Sequence, residues 1–171
     1  TDWRVRFCFS GQHREMGAQT FGELGFAPDD TIDLMRAGQT PSDFLGAAVP
    51  ALAALIRREQ PAWVAVQGDT TSALAGAIAA FYERTSVIHI EAGLRTYDAA
   101  LPFPEEIHRQ LVTRLATAHA APTARCVDAL RREGVPTANI LLSGNTGIDC
   151  LLRTVALPSD QSGQLEKITS L

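Results

Sequence analysis

The alternation of short apolar runs with longer helix-like segments is the feature of this sequence that most constrains its fold. The strand-like runs are 3–9, 63–66, 87–90, 118–121 and 140–142. The helix-like segments are 13–24, 42–59, 72–84, 105–116 and 124–133. Helix-length connections between strands predict a parallel sheet, because the chain must cross back over the sheet before each new parallel strand. We therefore predict an α/β fold, a Rossmann-like parallel sheet flanked by helices.

The length of the chain limits how many such domains it can form. With 171 residues, of which 46% are hydrophobic, it can bury one core but not two. We expect one domain over residues 1–157, followed at 158–171 by a polar, weakly patterned linker or frayed terminus. The chain opens almost at once in a strand and has no initiator methionine, so we expect it to be a portion of a longer protein.

Charge, hydropathy and cysteine usage exclude several classes of protein. The formal net charge of −4 is spread along the sequence without a basic patch, which argues against nucleic-acid binding. No apolar run reaches the roughly 20 residues needed to span a bilayer, so we expect no membrane role. The three cysteines, Cys8, Cys126 and Cys150, are widely spaced and odd in number, and there is no signal peptide, which predicts reduced, buried thiols and a cytoplasmic protein.

Short polar segments directly follow four of the predicted strands. They are Gly-Gln-His at 11–13, Gly-Asp-Thr at 68–70, Glu-Ala-Gly-Leu-Arg at 91–95 and Gly-Asn-Thr at 144–146. In parallel α/β sheets, ligands bind outside the carboxyl ends of the strands. We therefore expect these four segments to gather at one edge of the sheet and to form the functional site there.

The polar residues of this predicted edge each have a structural interpretation beside a functional one. Asp69 either caps the next helix or contacts a ligand. Glu91 follows a buried strand, where an unpaired acid is costly, so it either forms a salt bridge with Arg95 or Arg109 or is catalytic. From the residues alone, both pairs of alternatives stay open.

The two outer segments carry similar alternatives. Gln12 and His13, at the first strand-to-helix turn, are either ligand contacts or helix caps. The turn containing Asn145 either offers backbone N–H groups to a phosphate or hydroxyl, or is a plain left-handed turn.

Three acids, Asp69, Glu91 and Glu105, are predicted at the same sheet edge, with Arg95 and Arg109 near them in sequence. Glu105 and the next residue, Glu106, also suit the start of a helix after Pro104, because the positive end of the helix dipole favours acids. A neighbouring carboxylate raises the pKa of an acid, and a neighbouring arginine lowers it. Such a site can therefore hold one acid protonated and another ionised. This arrangement favours acid/base chemistry at carbon.

Other chemistries lack their sequence signatures. The sequence has no GxSxG elbow, Walker loop, GxGxxG after the first strand, or Cys/His ligand set for zinc. His89 and Glu91 match half of the zinc-deaminase signature, but the PCxxC half is missing, so we interpret His89 as a core histidine. Glu105 and His108 have di-iron spacing in a single copy only. We expect neither a metal nor another cofactor.

Seven strings of this sequence together resemble one enzyme family, the non-hydrolysing UDP-N-acetylglucosamine 2-epimerases. The strings are SGQHREM at 10–16, VQGDTTSALAGAIAAFYER at 66–84, HIEAGLRT at 89–96, PFPEEIHR at 102–109, APT at 121–123, LRREGVP at 130–136 and SGNTGID at 143–149. They occur in the family's order and approximate spacing, from about residue 5 to 152. EAGLRT combined with PEE and GNT is specific to this family and differs from the related hydrolysing epimerases.

The resemblance implies a two-domain, glycosyltransferase-B-like fold with its active site between two Rossmann-like halves. The implied reaction is reversible inversion at C2 of UDP-N-acetylglucosamine, by loss of UDP to a 2-acetamidoglucal and its re-addition, without metal or nicotinamide. It implies a cytoplasmic homodimer that serves cell-envelope polysaccharide biosynthesis. Residues 1–157 would be the N-terminal domain without its first strand, and the C-terminal UDP-binding domain would be missing, so the isolated chain should be inactive.

The resemblance also assigns roles to individual residues. The positions that match the family's catalytic carboxylates are Asp69, Glu91 and Glu105, and Arg109 matches an arginine close to them. The predicted substrate-binding residues are Gln12, His13, Arg95, Arg109 and Asn145, of which the first two match a segment that in some members binds substrate or an activating second UDP-N-acetylglucosamine.

The sequence departs from the family's pattern at several points. His108 replaces a usual Asn, either as a tolerated polar exchange or as an adjustment near the site, and Gly147 replaces a usual aliphatic residue. The family's opening strand and its Arg-Pro-Glu loop would precede Thr1. These departures leave an alternative function, a non-catalytic module for nucleotide-sugar binding or dimerisation.

Overall fold

A computed structural model of the chain describes residues 3–11, 21 and 25–156. Its strands are β1 Cys8–Phe9, β2 Asp30–Thr31, β3 Trp63–Gln67, β4 Ser86–Ile90, β5 Ala118–Ala121 and β6 Ile140–Leu142. Its helices are α1 Pro41–Glu59, α2 Thr71–Tyr82, α3 Glu105–Leu115, α4 Ala124–Arg132 and α5 Thr146–Ala156, with a 3₁₀ turn at Thr137–Asn139. The predicted helix at 13–24 and the predicted tail at 158–171 lie outside the described residues, apart from Phe21.

The central sheet confirms the predicted parallel α/β fold. Strands β3, β4, β5 and β6 lie side by side in that order, and every neighbouring pair is parallel. In register, Val66 lies beside His89, and His89 beside His119. Because all four strands are parallel, their carboxyl ends lie at one edge of the sheet.

The first strand departs from its prediction. Only Cys8–Phe9 of the apolar run 3–9 forms a strand, and it pairs with β2, which the sequence pattern did not predict. A two-residue strand at Asp30 and Thr31 has no hydrophobic periodicity to reveal it. The hydroxyl oxygens of Ser10 and Ser72, 2.8 Å apart, link this small sheet to the start of α2.

Helix α1 begins and ends where local chemistry requires. The Thr40 hydroxyl accepts a hydrogen bond from the Asp43 N–H, the Asp43 carboxylate accepts one from the Thr40 N–H, and Pro41 occupies the first turn. The last helical residue is Glu59. The residue after it, Gln60, is left-handed with φ 47° and is followed by Pro61.

Helix α2 lies close to the sheet because its inward side chains are small. Ala75, Ala77 and Ala79 are fully buried, and a Cβ on Gly76 would lie 3.0 Å from Val66 Cγ1. Alanine gives this helix both strong helix propensity and a thin contact face. The core between α2 and the sheet is completed by larger residues, among them Leu74, Val66, Val87 and Val112.

The last described helix differs from the others in its packing. Ile148, Leu151, Leu152 and Val155 of α5 are each more than half exposed. Leu141 and Leu142 of the adjoining edge strand are exposed as well. Cys150 of α5 is also exposed, so the prediction of buried thiols is confirmed at Cys126 but wrong at Cys150. None of the described helices combines the length and the apolar character that crossing a bilayer requires.

Candidate active site at the carboxyl edge of the sheet

The turns that follow three of the central strands each donate a backbone hydrogen bond to the end of a neighbouring strand. The Gly68 N–H donates to Ile90 O at 3.0 Å, the Ala92 N–H to Ala120 O at 2.9 Å, and the Ser143 N–H to Ala121 O at 2.9 Å. The structure therefore brings the predicted segments beginning at 68, 91 and 144 to one edge. The remaining predicted segment is 11–13. Its Gly11 follows β1, but Gln12 and His13 lie outside the described residues.

The backbone of the turn that carries Asp69 is held by two histidines. His89 Nε2 lies 2.8 Å from Gly68 O, and His108 Nδ1 lies 2.9 Å from Asp69 O. A backbone carbonyl can only accept, so both ring nitrogens are donors, which fixes the tautomer of each neutral ring. His108, the departure from the family's pattern, is thus a contact of the Asp69 turn.

The carboxylate of Asp69 is held by Arg109. Arg109 Nε donates to Asp69 Oδ2 at 2.7 Å, and the Asp69 side chain is 24% exposed. Helix α2 is capped by Thr70, whose hydroxyl accepts from the Ala73 N–H. Since Thr70 does the capping, Asp69 is not the cap of this helix, and its partly exposed carboxylate pairs with Arg109 instead.

Glu91 has an unusual backbone. Its φ is 68°, a left-handed conformation that costs a residue with a Cβ of order 1 kcal/mol or more. A Cβ built on Gly68 would lie 3.7 Å from Glu91 Oε2, so the half-buried carboxylate lies over the turn that leads to Asp69. In the described part of the chain, the arginines considered as its salt-bridge partners are held by other acids.

Glu105 is the first residue of α3 and is half-buried. The helix it begins also carries His108 and Arg109, which both contact the Asp69 residue. Glu105 therefore starts the helix that is anchored to the Asp69 turn, and the helix dipole favours an acid at that end.

Arg95 is almost completely enclosed. Its side chain is 2% exposed, and its Nε and Nη2 donate to the two carboxylate oxygens of Glu133 at 2.6 and 2.8 Å. Nη2 also donates to Thr113 Oγ1 at 2.8 Å, and Nη1 to Leu94 O at 2.7 Å. The guanidinium thus joins the loop after β4 to α3 and the end of α4.

Asn145 caps α5. Its Oδ1 accepts from the N–H groups of Gly147 and Ile148, at 2.8 and 3.3 Å. The Gln67 side-chain amide donates to Thr146 Oγ1 at 3.4 Å, which brings the end of β3 and the start of α5 together. The backbone N–H groups of this helix start therefore lie at the same edge as Asp69.

Glu106 is a residue of this site whose position the sequence does not predict. The sequence pattern predicts only that Glu106, like Glu105, is an acid that suits a helix start. In the structure Glu106 is fully buried. Its carboxylate accepts from the Thr96 and Tyr97 N–H groups, Gln110 and Arg109. Both Glu105 and Glu106 have the spacing of a helical pair with Arg109, so no signal in the sequence singles out Glu106.

Two buried histidines, His89 and His119, lie side by side on β4 and β5. Burial lowers the pKa of His89 to about 4, although its hydrogen bond to Gly68 O acts in the opposite direction, and burial also lowers the pKa of His119. His89 is 1% exposed, which agrees with its interpretation as a core histidine. Among residues 3–11, 21 and 25–156, no three His, Cys, Asp or Glu side chains are grouped to hold a metal.

The sequence and the fold both match known epimerases. A family model described as UDP-N-acetylglucosamine 2-epimerase matches residues 1–169. The UDP-N-acetylglucosamine 2-epimerase of Salmonella borreze is 41% identical over 167 residues, which are 98% of this chain and 44% of that protein. The enzyme of the same name from Yersinia pestis is 42% identical over 146 residues, 85% of this chain and 39% of that protein.

A solved structure shows the same architecture. The crystal structure of UDP-GlcNAc 2-epimerase from Neisseria meningitidis bound to UDP-GlcNAc matches with a TM-score of 0.91 and 32% identity, over 98% of this chain and 46% of that one. The fold of these structural neighbours is glycosyltransferase-B-like. This chain spans less than half the length of these relatives. It belongs to the UDP-N-acetylglucosamine 2-epimerase family.

Proposed function

We propose that this chain forms one half of an epimerase that reversibly inverts C2 of UDP-N-acetylglucosamine to give UDP-N-acetylmannosamine. The observation that carries the proposal is the arrangement of three acids at the sheet edge. Glu91 lies over the Asp69 turn, and Glu105 begins the helix whose Arg109 holds Asp69. Asp69, Glu91 and Glu105 are the proposed catalytic residues.

The proposed chemistry is an elimination followed by an addition. A carboxylate removes the C2 proton, the electron pair of that C–H bond forms a C1–C2 double bond, and the C1–O bond breaks as UDP leaves. UDP oxygen then bonds again to C1 while an acid delivers a proton to the opposite face of C2. Atoms and electrons balance without an oxidant or reductant, so no cofactor enters the proposal. Acid/base groups are required on both faces of the sugar, which a cluster of carboxylates can supply.

Four further residues are proposed to contact the substrate. Arg109 and the helix start at Asn145 would face the substrate, with Gln12 and His13 from the first turn. Arg95 would act on the substrate only through the loop that it joins to α3 and α4, because its donors already serve Glu133, Thr113 and Leu94. A further domain would bind UDP.

The setting of the enzyme is also part of the proposal. The cysteine content supports a cytoplasmic enzyme, and the family resemblance supports a homodimer that acts in cell-envelope polysaccharide biosynthesis.

A chimera tests the proposal. This chain would replace the matching segment of the Salmonella borreze enzyme, and proton NMR would follow conversion of UDP-N-acetylglucosamine. We expect formation of UDP-N-acetylmannosamine, and we expect Glu91→Gln to abolish turnover while circular dichroism stays unchanged. Glu83→Gln is the matched control, because Glu83 pairs with Arg57 away from the site. Full turnover in the Glu91→Gln chimera would remove Glu91 from the mechanism.

The alternative function is binding or dimerisation without catalysis. It is favoured by the exposed apolar side chains of α5, Ile148, Leu151, Leu152 and Val155, because an apolar face on a helix can serve dimerisation. Calorimetry of the chain with UDP-N-acetylglucosamine distinguishes the two: heat of binding combined with an inactive chimera would support the alternative. Turnover by the chimera would reject it.

A further inference from the structure

Glu106 is a fully buried acid at the centre of the site. Its Oε1 accepts from the Tyr97 N–H at 3.1 Å and from Gln110 Nε2 at 2.9 Å. Its Oε2 accepts from the Thr96 N–H at 3.0 Å and from Arg109 Nη1 at 3.2 Å. A buried carboxylate is costly unless it is paired and hydrogen-bonded, and these four donors supply what Glu106 requires.

Two of the four donors belong to the loop that starts at Glu91. The consecutive N–H groups of Thr96 and Tyr97 point at one carboxylate, and Tyr97 has a left-handed φ of 60°. Successive backbone N–H groups in a turn form a concave site for an anion. In this protein a side chain of α3 is that anion, so Glu106 ties the end of the loop to the helix.

The fourth donor extends the contact to a proposed catalytic residue. Arg109 donates from Nη1 to Glu106 and from Nε to Asp69 Oδ2. A guanidinium is planar and rigid, so fixing one of its nitrogens fixes the direction of the others. Glu106 therefore orients the donor that holds Asp69.

We propose that Glu106 is a positioning residue of the epimerase, which sets Asp69 through Arg109 and sets the Glu91 loop through the Thr96 and Tyr97 N–H groups. The proposal rests on the proposed function for its catalytic part. Burial by itself raises the pKa of Glu106, but its hydrogen bonds outweigh burial and bring that pKa below the ordinary value. The carboxylate is thus held ionised and enclosed, which suits support rather than proton transfer.

Two substitutions separate charge from shape. Glu106→Gln keeps the shape of the side chain but replaces one carboxylate oxygen, which accepts, with an NH₂ group, which donates. Whichever way the amide is turned, its NH₂ group then faces two donors, either Thr96 and Arg109 or Tyr97 and Gln110. Glu106→Asp keeps the charge but shortens the reach by one methylene. Glu83→Gln is again the control, because its partner Arg57 lies away from this network.

Amide hydrogen exchange of the chain tests the structural step without any reference to catalysis. We expect the Thr96 and Tyr97 amides to exchange roughly tenfold faster in Glu106→Gln, and less than that in Glu106→Asp. Amides of β4 should keep their protection, as should all of these amides in Glu83→Gln. Unchanged exchange at Thr96 and Tyr97 in Glu106→Gln would overturn the proposal.

Kinetics of the chimera test the catalytic step. Glu106→Gln should lower kcat roughly 10- to 100-fold with KM little changed, and Glu106→Asp should recover part of the loss. In an Arg109→Lys background, Glu106→Gln should cause a smaller further loss than in the wild-type background, because the route to Asp69 is already broken and only the route through the Thr96 and Tyr97 N–H groups remains. A full additional loss there would show that Glu106 does not act through Arg109. An inactive wild-type chimera would count against the proposed function alone, and amide exchange would then decide the role of Glu106.

Discussion

At the scale of single residues, Glu91 shows how the site departs from relaxed backbone geometry. Asparagine tolerates its left-handed φ of 68° better than alanine does. We therefore expect Glu91→Asn to be more stable than Glu91→Ala by up to about 1 kcal/mol in free energy of unfolding. Urea denaturation measures the difference. Equal stabilities for the two variants would show that the backbone stores no strain at Glu91.

His89 gives the fold a dependence on pH at the same scale. Its pKa is about 4 in the folded chain against an ordinary 6.5, first because of burial and also because of neighbouring His119 and Arg95. Between these values the unfolded chain binds more protons, so stability is complete above pH 6.5 and falls as the pH drops towards 4. The loss due to His89 reaches about 3 kcal/mol.

A variant isolates this contribution. His89→Gln retains an amide donor for Gly68 O but does not titrate, so its unfolding free energy should fall less between pH 7 and pH 4.5 than that of the wild type. His119 has the same sign and accounts for part of the remaining fall. Urea denaturation at the two pH values makes the comparison, and an identical fall in both proteins would contradict the assignment.

At the scale of secondary-structure elements, close packing of the loop after β4 on α4 depends on Gly93. Its φ is 88°, and a Cβ there would lie 2.4 Å from the carbonyl oxygen of Cys126. Gly134 has a similar φ of 84° but open space around it, so it is a matched control. We expect Gly93→Ala to cost about 3 kcal/mol or more, against about 1 kcal/mol for Gly134→Ala. Similar losses of unfolding free energy in urea would mean that the loop can move away from α4.

The elements were predicted where periodicity is strong. The predicted strands 63–66 and 87–90 correspond to Trp63–Gln67 and Ser86–Ile90, because continuous apolar runs mark buried parallel strands. Side-chain partners far apart in sequence were not predictable in this way. Arg95 and Glu133 meet only because α3 and α4 pack beside the loop, and Glu106 cannot be told from Glu105 until the helix phase is known.

At the scale of the whole molecule, the sheet edge is an open surface. The Asp69 carboxylate is partly exposed and Glu91 is half-buried. Acid/base catalysis at a sugar carbon requires oriented groups on both faces and a site closed to water. One edge of one sheet encloses a substrate from a single side, so the surface that closes the site to water on the other side would have to come from the proposed further domain.

The chain alone should therefore not catalyse proton exchange or epimerisation at C2. Incubated in D₂O with UDP-N-acetylglucosamine, the 171-residue chain should incorporate no deuterium at C2 and give no N-acetylmannosamine or glucal signals in proton NMR. The active chimera under the same conditions should show exchange, since it restores the opposite side. Deuterium at C2 with the chain alone, lost on Glu91→Gln, would mean that this edge by itself holds a working acid/base pair.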